Sequence, residues 1–257
     1  MKFLSKIALV VLVLFFSCKE TKAQQENNQQ SITIYTIGDS TMANKKNPEE
    51  NPEHGWGQVL QQFFKDNVVI DNRAVNGRST RSFIDQGRWD EVYKNLKKGD
   101  YVFIQFGHND AKEEDPTRYT NPHTAYRNNL IRFVQDTREK GATPVLMSSI
   151  VRRNFNEFGT LVDTHGEYPI EARLMAQEYE VPFIDMQYLT EQLEESYGVE
   201  GSKKLHLHFE AGENSFFPEG KQDDTHLSEL GATEVAKLVV SELKKKVPDL
   251  VPYIKSE

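Results

Sequence analysis

The chain has 257 residues, with 31 Lys and Arg against 39 Asp and Glu, a formal net charge of −8. A general binder of nucleic-acid backbone needs clustered positive charge, so this balance excludes that class. Hydrophobic residues make up 37%, which fits a globular chain, and one cysteine excludes a disulfide framework and any multi-cysteine zinc site.

Lys2 and Lys6 precede an unbroken apolar run over residues 7–16. As a helix that run rises about 15 Å, too short for a hydrocarbon core ~30 Å thick. The pattern predicts an export signal over residues 1–18. Cys18 closes it at a position that resembles the lipid-modified cysteine of bacterial lipoprotein signals, with simple cleavage nearby and an uncleaved anchor as the alternatives. The expected localisation is therefore secreted across the inner membrane, in the periplasm or at the outer membrane, with membrane contact only through a lipid anchor on Cys18. Residues 19–30 are polar and Gln/Asn-rich and read as a flexible tether. Residues 31–257 read as one folded domain.

Residues 31–37 alternate apolar and polar and then meet Gly38, a strand ending in a turn. Residues 56–64 carry apolar residues at helical spacing, and 68–70 form a second short strand. Trp89, Val92, Tyr93 and Leu96 mark a helix face that stops near Gly99. Residues 101–106 are almost continuously apolar, as buried parallel strands are. Residues 124–140 are helical, with Gly141 as the stop. A fourth strand at 144–147, a helix at 169–178 and a fifth strand at 181–186 follow. Residues 198–224 show little periodicity and read as a long ordered loop, of the kind that is often functional. A closing helix over 230–246 ends in three lysines, which suit its negative end. Strands alternating with helices predict an α/β fold, three layers deep (α/β/α), with a five-stranded parallel sheet in flavodoxin-like order. Functional loops then lie beyond the carboxyl ends of the strands.

Four segments fall at such places: Gly38-Asp-Ser-Thr-Met42, Gly77-Arg-Ser79, Gly107-His-Asn-Asp110 and Asp223-Asp-Thr-His226. Ser40 follows the first strand, where a helix N-terminus would favour developing negative charge. A serine hydroxyl is a poor nucleophile without a base beside it, and His226 is the candidate base. Asp223, three residues earlier, can fix the imidazole tautomer; Asp224 competes for that role. The Ser40 N–H, the Gly77 N–H and the Asn109 amide are candidate donors of an oxyanion hole. Asp39 reads as a turn organiser.

Together these segments resemble the conserved blocks of the SGNH (GDSL) hydrolase superfamily, from Ile34 to the final helix. Within it, Phe106-Gly-His-Asn-Asp110, Asp223-Asp-Thr-His226 before Leu-Ser-Glu-Leu-Gly-Ala232, and Phe216-Phe-Pro-Glu-Gly220 are similar to rhamnogalacturonan acetylesterases, carbohydrate esterase family 12. The resemblance implies the SGNH hydrolase fold and a secreted esterase that removes acetyl groups from pectic polysaccharide. It assigns Ser40 as nucleophile, Asp223 and His226 as its partners, and Gly77 and Asn109 as oxyanion donors. One departure is Asn76, where the family usually has Gly or Ala before Gly77.

Arg78, Arg81 and His108 are candidate substrate contacts; surface ion pairing and loop support are the plainer roles for them. Arg152 and Arg153 are further candidates for a basic cleft, which would draw an acidic polymer despite the net charge. His206, His208 and Glu210 alternate as metal ligands on a strand would, but a half-exposed strand gives the same pattern. No metal and no cofactor is expected. The expected partner is an acetylated polysaccharide or oligosaccharide, with no nucleic acid, and the chain is expected to be a monomer. The alternatives are action on another glycan such as xylan or peptidoglycan, action on a lipid ester, and a glycan-binding lipoprotein without catalysis.

Overall fold

Neighbouring residues of a strand face opposite sides of the sheet, and the almost wholly buried β-strands at 32–38, 101–105 and 143–147 divide the core accordingly. The computed structural model describes residues 31–256. The expected export signal, Cys18 and the tether lie outside them. The chain divides into residues 1–31 and a second unit, Ile32–Glu257, to which every element below belongs.

Five strands form the central sheet: β1 (Ile32–Gly38), β3 (Val68–Asn72), β4 (Tyr101–Gln105), β5 (Thr143–Met147) and β6 (Phe183–Ile184). Their order is β3-β1-β4-β5-β6, and every pairing is parallel. Counting only these strands, that is the expected flavodoxin-like 2-1-3-4-5 order. Ile34, Phe103, Val145 and Met147 point into one core, and Ile37, Val102, Ile104 and Leu146 into the other. Of the helices, α1 (Trp56–Val59) and α7 (Glu229–Lys246) cover the first face, while α3 (Arg88–Asn95), α4 (Arg127–Glu139) and α5 (Tyr168–Glu178) cover the second. The short α2 (Thr80–Asp85) sits between β3 and α3 in the chain and opens with a reciprocal Ser79–Ser82 capping box.

Three expectations need correction. The helix expected over 56–64 is split, with a 3₁₀ turn following Val59. The region 198–224 is not a loop. A helix, α6 (Met186–Gly201), runs into it, and a hairpin of β7 (His206–Phe209) and β8 (Lys221–Ser228) fills most of the rest. The short β2 (Glu53–His54) adds to β8 as a third antiparallel strand. Helix α6 escaped notice because its buried stripe is Met186, Thr190 and Glu194, only one of which is apolar. Finally, no helix begins at Ser40. The residues after β1 form a single turn, in which the Met42 and Ala43 amides donate to the Asp39 carbonyl.

Candidate active site

The turn after β1 is built by Asp39. Its Oδ1 accepts from the Thr41 amide at 3.0 Å and the Thr41 hydroxyl at 2.9 Å, which holds Ser40 at the tip. Burial pushes the Asp39 carboxyl up, against the opposing pull of those two bonds. Lys45, its side chain 2% exposed, reinforces the turn. Its Nζ donates to the Ser40 carbonyl at 2.6 Å and to Asn76 Oδ1 at 3.0 Å, and pairs with Glu53 at 2.7 Å. The unusual Asn76 thus has a partner: it ties the loop before Gly77 to the turn that carries Ser40.

His226 and Asp223 come from β8, 186 residues away from Ser40 for the histidine. The β7–β8 ladder pairs His206 with Leu227 but Leu207 with Asp223, so residues 224–226 bulge out of it. Within the bulge His226 Nε2 lies 3.0 Å from Ser40 Oγ, and its Nδ1 lies 2.9 Å from Asp223 Oδ2. A carboxylate accepts, so Nδ1 carries the hydrogen and Nε2 presents a lone pair to the serine hydroxyl. Asp223 Oδ1 accepts from the Thr225 and His226 amides, both at 2.9 Å. Burial alone would raise the Asp223 carboxyl; the imidazole and these two amides hold it well below the usual carboxylate range. Asp224, the competitor, is engaged elsewhere: its Oδ1 takes Arg153 Nη1 and His208 Nε2, each at 2.8 Å.

The expected oxyanion donors Gly77 and Asn109 come from the segments that follow β3 and β4. Gly77 has φ +75°, a left-handed conformation that suits glycine. Among the described residues neither its amide nor that of Ser40 has a hydrogen-bond acceptor. The Asn109 amide spends one hydrogen on the Arg78 carbonyl at 3.1 Å. Arg118, which sequence reasoning missed, stands beside both groups. Its Nη1 is 3.5 Å from Asn109 Oδ1, and a Cβ placed on Gly77 would lie 3.6 Å from it. Arg78 donates to the Asn76 carbonyl and to Gln86. Burial first, and the nearby Arg88 and Arg118 after it, push the Arg78 guanidinium down.

The other candidates fall differently. Arg81 donates to the Pro116 carbonyl at 2.9 Å. His108 is 4% exposed and stands in the loop-support role that the sequence also allowed. Its Nδ1 meets His165 Nε2 at 2.9 Å, so it holds loops together. Burial, with His165 and Arg152 close by, pushes the His108 imidazole well down. Arg152 is tied to the same pair through the His108 carbonyl, and Arg153 braces the bulge through Asp224. Neither Lys45, Arg118 nor His165 stands in a local motif, so spacing carried no signal for them. His206 and His208 lie on β7, with Nε2 of His206 on Glu194 and Nε2 of His208 on Asp224, and Glu210 follows the end of the strand.

Against known proteins, the GDSL-like lipase/acylhydrolase family matches residues 36–233. A rhamnogalacturonan acetylesterase, RhgT of Bacillus subtilis, is 42% identical over 217 residues, covering 84% of this chain and 91% of the relative. A rhamnogalacturonan acetylesterase of Emericella nidulans is 32% identical, covering 79% and 81%. Among solved structures, protein YxiM of Bacillus subtilis superimposes with a TM-score of 0.73 at 25% identity, covering 87% of this chain and 58% of that one. The acetylxylan esterase Axe2 of Geobacillus stearothermophilus does so at 0.59 and 18% identity, covering 83% and 94%, which speaks for the fold alone. The strand order and the extent of the match agree: the chain belongs to the GDSL-like lipase/acylhydrolase family.

Proposed function

We propose that the protein is a serine acetylesterase acting on acetylated rhamnogalacturonan. The observation that carries the reading is the closed relay from Asp223 Oδ2 through His226 to Ser40 Oγ, at 2.9 and 3.0 Å. Ser40 Oγ attacks the acetyl carbonyl carbon while its proton passes to His226 Nε2. The Ser40 and Gly77 amides and the Asn109 side chain hold the oxygen that becomes negative. His226 then gives that proton to the sugar oxygen as its bond to the acetyl carbon breaks. Water attacks the acetyl-serine, again losing a proton to His226, and acetate leaves as Ser40 recovers its hydrogen. Asp223 keeps Nδ1 protonated throughout and stabilises the imidazolium.

Two observations favour a pectic substrate. Relatives of 42% and 32% identity are rhamnogalacturonan acetylesterases. The guanidiniums of Arg78 and Arg118 stand near Gly77 and Asn109, where a uronate carboxylate would meet positive charge, with Arg118 already paired to Asp115 at 2.8 Å. Export with a lipid on Cys18 completes the proposal, on the strength of the charged and apolar pattern of residues 2–18.

The test is acetate release from acetylated rhamnogalacturonan and acetylated xylan, side by side, by wild type and Ser40→Ala. Preference for the pectic polymer, abolished by Ser40→Ala, is expected. Preference for xylan overturns the substrate, and full activity of Ser40→Ala overturns the mechanism. Lipid labelling of wild type but not Cys18→Ser in a bacterial host tests the anchor.

A further inference from the structure

A three-residue bulge leaves backbone groups without ladder partners, and each must find another. In the 224–226 bulge the Asp224 carbonyl accepts from the Arg153 amide at 2.8 Å, and the Thr225 and His226 amides donate to Asp223. The His226 carbonyl accepts from a side chain, His206 Nδ1, at 3.1 Å. His206 is 2% exposed, and its other nitrogen, Nε2, lies 2.6 Å from Oε1 of Glu194, which is 3% exposed.

The hydrogens in this chain of contacts can be counted. A carbonyl only accepts, so His206 Nδ1 must carry a hydrogen. The short contact at Nε2 then holds one further hydrogen, shared between imidazole and carboxyl. Glu194 therefore fixes which nitrogen of His206 faces the catalytic loop, as Asp223 does for the ring of His226. The arrangement is not a cheap way to fill a core. Glu194 occupies the buried stripe of α6 with Met186 and Thr190, and its Oε2 has no partner among the described residues. Buried pairs of this kind are often no more stabilising than apolar residues of the same volume. What an apolar pair cannot do is hold the His226 carbonyl.

We infer that Glu194 and His206 are positioning residues: they fix the backbone of His226 and so the aim of its ring at Ser40. The inference rests on the esterase reading above. A small angular error at the base is costly, since misplacement by about 1 Å can cost ~100-fold in rate.

The experiment compares wild type, His206→Leu, Glu194→Leu and Glu194→Gln on a nitrophenyl acetate, each checked for folding by its melting temperature. The low-field proton NMR signal of the His226 N–H bonded to Asp223 is recorded alongside. His206→Leu and Glu194→Leu should lose about 10–100-fold in kcat with KM changed less than about threefold, and the low-field signal should move or broaden. Glu194→Gln should restore most of the loss, because its amide can donate to Nε2 and leave the hydrogen on Nδ1. Rescue by the amide separates positioning from mere bulk or charge. Folded leucine variants with wild-type kcat and an unmoved signal overturn the inference. Should His206→Leu not fold, His206→Asn, whose amide stands where Nδ1 was and can still donate to the His226 carbonyl, should keep kcat within about threefold of wild type with the low-field signal in place, and a loss of about tenfold or more would overturn the inference. An inactive wild type would sink the esterase reading instead, while the NMR signal still decides whether the pair positions His226.

Discussion

Replacing Asp223 by Asn is the sharpest test of the proposed relay, because the structure dictates which way the new amide points. Asp223 Oδ1 accepts two backbone N–H groups, from Thr225 and His226, both at 2.9 Å. In Asp223→Asn the side-chain oxygen must take that place, since an NH₂ there would face two donors and strand both. The NH₂ is then left at the Oδ2 position, 2.9 Å from His226 Nδ1. It donates, so Nδ1 becomes the acceptor and the ring hydrogen moves to Nε2, where it faces Ser40. A ring protonated there cannot take the serine proton. The wrong tautomer in a serine triad costs about 10⁴ in kcat, or roughly 5 kcal/mol of transition-state stabilisation. The assay is kcat on a nitrophenyl acetate at neutral pH, with folding checked by circular dichroism. Asp223→Asn should be at least as damaged as Asp223→Ala, although it is the closer isostere. An Asn variant within about tenfold of wild type would refute the tautomer argument.

Further expectations follow from other contacts. Arg118→Ala should raise KM for the pectic polymer about tenfold more than KM for a small neutral acetate ester; an equal effect on both would remove Arg118 as a carboxylate reader. Gly107→Ala places a Cβ 2.2 Å from Ser149 Oγ at φ +148°, and should cost about 2–4 kcal/mol, seen as a melting temperature lower by roughly 5–15 °C. The His108–His165 pair should make the fold acid-sensitive. Burial pushes both imidazoles down, so below about pH 6.5 the unfolded chain takes up protons that the native chain refuses. That stability is present above pH 6.5 and is lost as pH falls, by up to about 1.4 kcal/mol per pH unit per histidine. Asp110, pushed up to about 7 by burial against its Thr80 and Thr120 bonds, works oppositely, losing stability as pH rises through 7. Comparing wild type with His108→Asn in calorimetry cancels the Asp110 contribution. The variant should show the shallower fall between pH 6.5 and 5, and parallel curves would contradict the assignment.

The sequence by itself determined the sheet and marked the candidate residues that local spacing can mark. Alternation in 31–37 and the apolar run at 101–106 mark strands because burial on one face or both leaves that imprint. Asp223 and His226 are legible as partners because three residues separate them. Ser40, Gly77 and Asn109 are legible because each follows a strand end. Tertiary structure decided the rest. Helix α6 and the β7–β8 hairpin have no apolar rhythm: the helix buries Thr190 and Glu194, and β8 is mostly polar with one buried residue, Leu227. Lys45, Arg118, His165 and the Glu194–His206 pair acquire roles only from partners brought in by the fold. A buried polar group is specified by whatever completes its hydrogen bonds, and for these residues the completing atoms come from other segments of the chain. Hydrophobic periodicity records how much of a residue is covered; it does not record by what.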